Sequence, residues 1–368
     1  MAPIIIIFFA GIVSLVLALV HVIVYKAFVS IFSLTATGKL FLGIILAALC
    51  LSFVLASILT FNFNNLFTRT YYTISATWLG FAFYLFLASC IYVLTILLSR
   101  IFGIDTPKLF GILCLVLALA VSIYGVVHAR TLLVKNINVT LPNLPAGWQG
   151  KRVVFVSDIH LGVVLGRDFA QKIVDKINEI NPDIVFIGGD LYDGVKVDEN
   201  QIVQPFAGLH PALGTYFITG NHEEFRDNKP YLEAVKNIGI RVLNNELVNI
   251  NGLQLIGVDD RDSVNLAKFQ NILANLNINK NEPSILLKHE PFQLDEAARV
   301  GISMQISGHT HRAQVFPLNG FTYLIYKGYD YGLHLFGKMS VYTSSGVGTW
   351  GPPLRVGSDS EIVVFTFS

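Results

Sequence analysis

The sequence predicts a chain of two unlike halves: an N-terminal bundle of four transmembrane helices, and a C-terminal four-layer α/β sandwich of two packed mixed sheets flanked by helices. Three observations carry this. The 368 residues are 53% hydrophobic and 14% charged, with mean hydropathy +0.58, whereas an ordinary soluble domain is about 25% charged. The charge is unevenly placed: residues 1–130 hold Lys26, Lys39, Arg69, Arg100, Lys108 and Arg130 against Asp105 alone, and the remainder holds 20 basic and 24 acidic residues. Beyond residue 150, short β-rich runs alternate with amphipathic stretches, as in α/β domains. Neither half carries a dense field of Lys and Arg, which excludes a strongly basic nucleic-acid binder, so no nucleic-acid partner is expected. Cys50, Cys90 and Cys114 all fall in the apolar half, which excludes a disulfide framework or a thiolate zinc site in the other.

Residues 1–130 form the expected transmembrane domain, with spans at about 3–25, 40–61, 74–98 and 109–127. Each run is near the ~20 residues that an α-helix needs to cross a bilayer. The first is read as a retained span, because no basic residue precedes it and its apolar stretch exceeds the ~7–15 residues of a signal-peptide core. Aromatic residues collect at the expected interfaces: Tyr25 and Phe28, then Phe61, Phe63 and Phe67, then Tyr71, Tyr72 and Trp78. Short loops favour a compact bundle of antiparallel neighbours with both ends on one side. The first and third loops hold Lys26, Lys39, Arg100 and Lys108, against Arg69, Arg130 and Lys135 on the other side. That small excess places those loops in the cytoplasm and the second half outside, in a multi-pass protein of the cell (inner) membrane whose first partner is the lipid bilayer. His21 is the titratable residue deep in a span, and is expected to reach the interface without a chemical role.

Residues 131–150, with Pro142, Pro145 and Gly147, read as a linker and leading strand. Residues 151–368 form the second domain. Its strands are expected at 152–157, 183–187, 215–219, 253–258, 284–288 and 303–307. Phe169, Ile173, Ile177 and Ile180 recur at helical spacing between the first two. The tail reads as all β, at 323–326, 331–336, 339–343 and 361–367, separated by Gly and Pro turns.

The chemistry sits where the strands end. After successive strands come Asp158-Ile-His160, then Gly189-Asp190-Leu-Tyr-Asp193, then Gly220-Asn221-His222-Glu223. His289-Glu-Pro291 and Gly308-His309-Thr-His311 follow later strands. Polar groups just past the carboxyl ends of strands face the crevice where α/β proteins bind ligands. Carboxylates, imidazoles and an amide oxygen, with no thiolate, suit Mn, Fe or Zn. About seven candidate ligands are too many for one tetrahedral ion and enough for two divalent ions with open positions. In Asp158-x-His160 and His309-x-His311, alternate residues can share one side of an extended segment, or the second pair can divide between two neighbouring ions. Asp190, after two glycines that let the backbone approach closely, is the favoured bridging carboxylate.

These five blocks, in this order, resemble the calcineurin-like metallophosphoesterase superfamily over roughly Lys151 to the C-terminus. The resemblance implies one metal ion held by Asp158, His160, Asp190 and His311, and a second held by Asp190, Asn221, His289 and His309. It implies that His222 contacts the scissile phosphate and assists departure of the leaving group, and that Asp193 is the second acid of its block. The stretch from Gly346-Val-Gly348 to Pro353-Leu-Arg355 is similar to the bacterial membrane-associated branch, which includes phosphodiesterases acting on lipid-linked diphosphates. Asp193 and Arg355 are candidates for the substrate side, as is Arg312, which stands next to His311 and could face a substrate phosphate, with a solvated charge as the preferred reading.

The expected function is a membrane-bound phosphoesterase that cleaves a phosphodiester or diphosphate bond by a metal-activated water. One alternative is a phosphomonoesterase or protein phosphatase with the spans as anchor, and another is a non-catalytic membrane protein that binds ligand. Arg226, Lys229 and Arg261 are expected as plain surface charges, and Tyr323, Tyr326, Tyr329 and Tyr331 with Trp350 as sheet packing rather than contacts to lipid head groups.

Overall fold

In a computed structural model of the chain, the described residues are 3–63, 65–103, 105–195, 197–225 and 227–368, with the side chains of 3–10 also left aside. Arg226 lies outside them. The chain divides into two compact units, one of Met1–Val127 with Gly351–Leu354, the other of His128–Trp350 with Arg355–Ser368.

The first unit holds four helices, α1 (Pro3–Phe32), α2 (Ala36–Asn62), α3 (Leu66–Ile101) and α4 (Lys108–His128). They outrun the apolar stretches, and hydrogen-bonded N-caps fix where α2 and α3 begin. The Thr35 side chain accepts from the Gly38 amide, and Asn65 and Thr68 form a reciprocal capping box. All four are long and apolar enough to cross a membrane, and large apolar side chains such as Leu40, Ile74 and Leu113 lie exposed on them, as lipid-facing surfaces require. Small residues line the inner faces: Gly111, Ala118, Ser122 and Gly125 are buried on α4, the pattern that lets membrane helices approach closely. A Cβ at Gly111 would stand 2.6 Å from Ile31 and 2.9 Å from Tyr92. His21 is enclosed by protein groups. It is buried, its Nδ1 donates to the Leu17 carbonyl (2.7 Å), and its Nε2 accepts from the Trp78 indole N–H (3.0 Å).

The second unit runs β1 (Leu132–Val139), β2 (Arg152–Val156), α5 (Arg167–Ile180), β3 (Ile184–Ile187), α6 (Glu199–Val203), β4 (Thr215–Phe217), α7 (Lys229–Asn237), β5 (Arg241–Val242), β6 (Glu246–Ile250) and β7 (Leu253–Gly257). It continues with α8 (Asp260–Ser263), α9 (Leu266–Asn275), β8 (Ser284–Leu287), α10 (Leu294–Val300), β9 (Met304–Ser307), α11 (Asn319–Ile325), β10 (Gly332–Phe336), β11 (Met339–Thr343) and β12 (Ser360–Phe367). Two six-stranded sheets result, in the orders β1-β12-β2-β3-β4-β5 and β10-β11-β9-β8-β7-β6. In the first, β2 to β5 are parallel and β12 runs antiparallel to β2; in the second, β7, β8, β9 and β11 are parallel, with β6 and β10 antiparallel at the edges.

Period-two side-chain alternation builds the four layers. Val153 and Phe155 of β2, Ile184 and Phe186 of β3, Ile285 and Leu287 of β8, and Val363 and Phe365 of β12 fill one core between the sheets. Their neighbours Val154, Val156, Val185, Ile187 and Val364 pack on the opposite face with Ile173, Val174 and Ile177 of α5. Leu286 of β8 packs with Phe269 and Leu273 of α9 and Ala297 of α10 on the far side of the second sheet. The four-layer sandwich is therefore present.

The expected strands do not include β5 and β6, and one expected strand is absent. Residues 323–326 are not a strand; they fall in and just after the helical turns of α11. The Phe321 and Thr322 amides bond the Leu318 carbonyl and the Tyr326 amide bonds the Thr322 carbonyl, so local helical hydrogen bonds take up this backbone. A short apolar run does not disclose its period.

Candidate metal centre

Three loops from the first sheet and two from the second meet at the carboxyl ends of their strands: after β2 (Asp158, His160), β3 (Asp190, Asp193), β4 (Asn221, His222), β8 (His289) and β9 (His309, His311). The loops are bonded to one another. The Ile159 and His160 amides donate to the Asp190 carbonyl, the Gly308 amide to His289, and the Gly348 amide to Asp158. Two glycines permit the approach: a Cβ at Gly220 would lie 2.2 Å from Asp190 Oδ1, and one at Gly308 would lie 2.3 Å from Asp158 Oδ2.

Five of the seven expected ligands, Asp158 (φ 52°), His160 (φ 53°), Asp190 (φ 51°), His309 (φ 71°) and His311 (φ 48°), occupy the left-handed region. Each such residue costs about 1–3 kcal/mol and persists where its surroundings impose it, typically at functional sites. The conformation turns consecutive side chains of a tight loop inward.

The donor atoms gather in a first set, Asp158 with His160 and His311, and a second, Asp190 with His289 and His309, each within 4.8 Å, and His160 also meets Asp193 and His222 within that distance. His160 Nε2 is 2.9 Å from His311 Nε2, and His311 Nε2 is 3.6 Å from Asp158 Oδ1. Asn221 Oδ1 lies 2.9 Å from His309 Nδ1, which adds the amide oxygen to the second set. Asp190 Oδ2 faces both sets, 3.2 Å from His289 Nε2 and 3.9 Å from His160 Nε2.

These residues fit a divalent cation. His289 Nδ1 lies 2.8 Å from the Gly188 carbonyl, which can only accept, so Nδ1 carries the proton. That is the outer hydrogen bond by which proteins orient ligating imidazoles. It leaves Nε2 buried, without a hydrogen-bond partner among the described residues, and aimed at two carboxylates. Burial lowers the basicity of His289, but Asp190 and Asp158 outweigh it and pull the imidazole well above its usual range: this nitrogen attracts a cation, a proton or a metal ion. Burial opposes charge on Asp190 too, yet His289 and His222 hold its carboxyl well below the usual range. Burial, then the nearby His289, push His309 down to about 3, and burial with His160 and Arg355 depresses His311. Both are neutral imidazoles at neutral pH, the form that ligates metal.

His222 stands beside this cluster. Its Nδ1 lies 3.2 Å from the Asp193 carbonyl, and its ring is edge-on to His160 (4.6 Å between centroids) and near Phe225 and Trp350. Asp193 Oδ1 is 3.3 Å from His160 Nδ1, so this carboxylate backs a donor as well as bordering the site. Arg312 is half-buried over the Tyr331 ring, 4.5 Å from its centroid. Arg355, expected on the substrate side, is fully buried behind His311. Its guanidinium is committed to the carbonyls of Ser345, Gly346 and Gly348 and to the Ser358 hydroxyl, so it braces the loop and cannot reach a substrate. Lys229 is exposed, and Arg261 pairs with Glu224.

Sequence reasoning passed over Glu223. Fully buried, it accepts from the backbone amides of Asp190, Tyr192 and Gly220 and clamps two ligand loops together. Burial and the nearby Asp190 raise its carboxyl to about 8. Its signal was a carboxylate directly following two polar site residues at a strand end.

Residues 151–313 match the Metallophos family, calcineurin-like phosphoesterase. The chain is 34% identical over 301 residues to a transmembrane protein with metallophosphoesterase domain from Danio rerio, covering 76% of this chain and 69% of that one. The chain belongs to this family. An uncharacterized metallophosphoesterase of Campylobacter jejuni is 29% identical over 368 residues, with 97% of each chain covered. Another, from Aquifex aeolicus, is 33% identical over 257 residues, 68% of this chain and 97% of that one. The protein is thus a metallophosphoesterase, a metal-dependent phosphoric ester hydrolase, and with its four apolar helices and transmembrane relatives a multi-pass membrane protein. The family implies divalent metal ions, and the Asp and His sets are the residues suited to hold them.

Proposed function

We propose that this metallophosphoesterase hydrolyses a phosphodiester or diphosphate bond of a lipid-linked substrate, with two divalent ions, on the extracytoplasmic side of the cell membrane. The observation that carries the two-ion reading is Asp190 Oδ2, which faces a donor of each set. Asp158, His160, Asp190 and His311 would hold one ion, and Asp190, Asn221, His289 and His309 the other. When bound, such a pair supplies Lewis acidity towards phosphate oxygens and lowers the pKa of a water. The protein's own groups do the rest. The Asp193 carbonyl fixes the His222 ring through Nδ1, leaving Nε2 to pass a proton to the departing alkoxide. Phe225 and Trp350 pack against the imidazole and hold its ring in place. A single span would suffice as anchor, so four support a substrate or task within the lipid phase.

The test is hydrolysis of a chromogenic phosphodiester and its monoester counterpart by full-length protein, with and without chelator, and with Asn221→Ala as control. Metal-restored activity that prefers the diester and is lost in the control is expected. A preference for the monoester would favour a phosphatase with the spans as anchor. Equal turnover of a lipid phosphodiester and its water-soluble analogue would remove the lipid-linked reading.

A further inference from the structure

The loop that carries His309 and His311 leads directly into an exposed apolar surface that neither the fold nor the catalytic chemistry uses. No residue of α11 is buried. Phe316, Phe321, Leu324, Ile325 and Leu335 are each between 56% and 73% exposed. Soluble surfaces seldom concentrate large apolar side chains in this way without a partner.

We propose that residues 316–335 lie in the headgroup region of the same leaflet at which α4 ends, as a membrane-surface element beside the catalytic centre. Three observations select a bilayer as the occupant. First, the chain spans the membrane, and only residues 129–131 separate α4 from β1. At ~3.5 Å per residue that tether is roughly 10–14 Å long, so β1 starts close to the leaflet. Second, the segment is tied to that strand near its start. Lys135, three places into β1, hydrogen-bonds the Tyr331 hydroxyl, with Nζ 4.4 Å from the ring centroid. At ~3.3 Å per strand residue, this contact lies roughly 10 Å from the point where β1 begins. Third, the charges suit anionic headgroups: Lys327 and Lys338 are exposed and Arg312 half-buried, whereas the acid of the stretch, Asp330, is buried and accepts from the Thr322 hydroxyl. Tyr323 and Tyr331 supply the amphipathic rings typical of the interface, and border a cavity of about 520 Å³ with Arg312 and His334. The Thr310 hydroxyl, between the two site histidines, donates to the Asp330 carbonyl and couples this surface to the ligand loop.

The experiment uses full-length protein in nanodiscs that each hold one copy, with Cys50, Cys90 and Cys114 replaced by serine. An environment-sensitive fluorophore is placed in turn through Leu324→Cys, Phe321→Cys and, as control, Asn237→Cys. Asn237 is exposed at the end of α7, which leads into β5 at the sheet edge opposite β1. All three side chains are exposed, so folding should tolerate the labels. Blue-shifted emission at 324 and 321, with loss of intensity when brominated lipids replace ordinary ones and no change at 237, is expected. Absence of bromolipid quenching at 324 and 321 overturns the proposal, as does equal quenching at 237. Shielding of 324 from aqueous iodide without bromolipid quenching also overturns it, because protein, such as a second copy, would then cover the patch.

Discussion

Two buried histidines with opposite fates frame this protein. In the membrane unit, His21 has both nitrogens matched by protein groups, Nδ1 by the Leu17 carbonyl and Nε2 by the Trp78 indole N–H. In the second unit, His289 has Nδ1 matched in the same way by Gly188, but its Nε2 has no hydrogen-bond partner among the described residues and points at carboxylates. Burial alone therefore does not separate a structural imidazole from a ligand. The surroundings of the second nitrogen do, because His289 Nε2 faces the buried Asp190 and Asp158 carboxylates, whose charge is costly unless a cation, a proton or a metal ion, balances it.

The largest effect that would break this contrast concerns the bridge. Asp190→Ala, like His289→Ala, should bring bound metal towards background by elemental analysis and abolish turnover; either variant keeping two ions would undo the reading of the orphaned nitrogen. His222→Ala should retain its metals and lose about 10²–10⁴-fold in turnover, less for a substrate with a good leaving group. Metal loss in that variant would make His222 a ligand rather than a proton donor. Asp193→Asn, which weakens the group behind His160 Nδ1, should lower metal affinity or activity about 10–100-fold, measured by metal titration against turnover. The smallest effect belongs to the other histidine. His21→Leu should cost about 1–3 kcal/mol in reversible unfolding, because it strands the Trp78 N–H, while metal content and hydrolysis stay unchanged.

Much of this was legible locally. The strands ahead of the site are short apolar runs flanked by Gly and polar residues, and each expected donor falls in the loop just past one of them. The lengths of α1 to α4 were less so, since apolar composition marks what lipid will accept but Thr35 and Asn65 set where helices begin. Tyr323 to Tyr326 read as strand because aromatic and β-branched residues suit both states when no longer pattern arbitrates. Arg355 was a substrate-side candidate through the resemblance of the tail that carries it, whereas the three carbonyls that accept from its guanidinium are not visible in the sequence.

By itself the sequence determined the division into a lipid-compatible half and a charged half, the inventory of oxygen and nitrogen donors, and their placement at strand ends. These depend on composition and on periods of two or 3.6 residues, which are local properties. The tertiary structure alone decided which donors face one another. His160 meets His311 across 151 residues and from different sheets, and Asn221 meets His309 across 88. Those distances follow from sheet order, from the left-handed turns at five candidate ligands, and from the clamp of Glu223 on two loops. Each arises from packing between segments far apart in the chain, which no local pattern encodes.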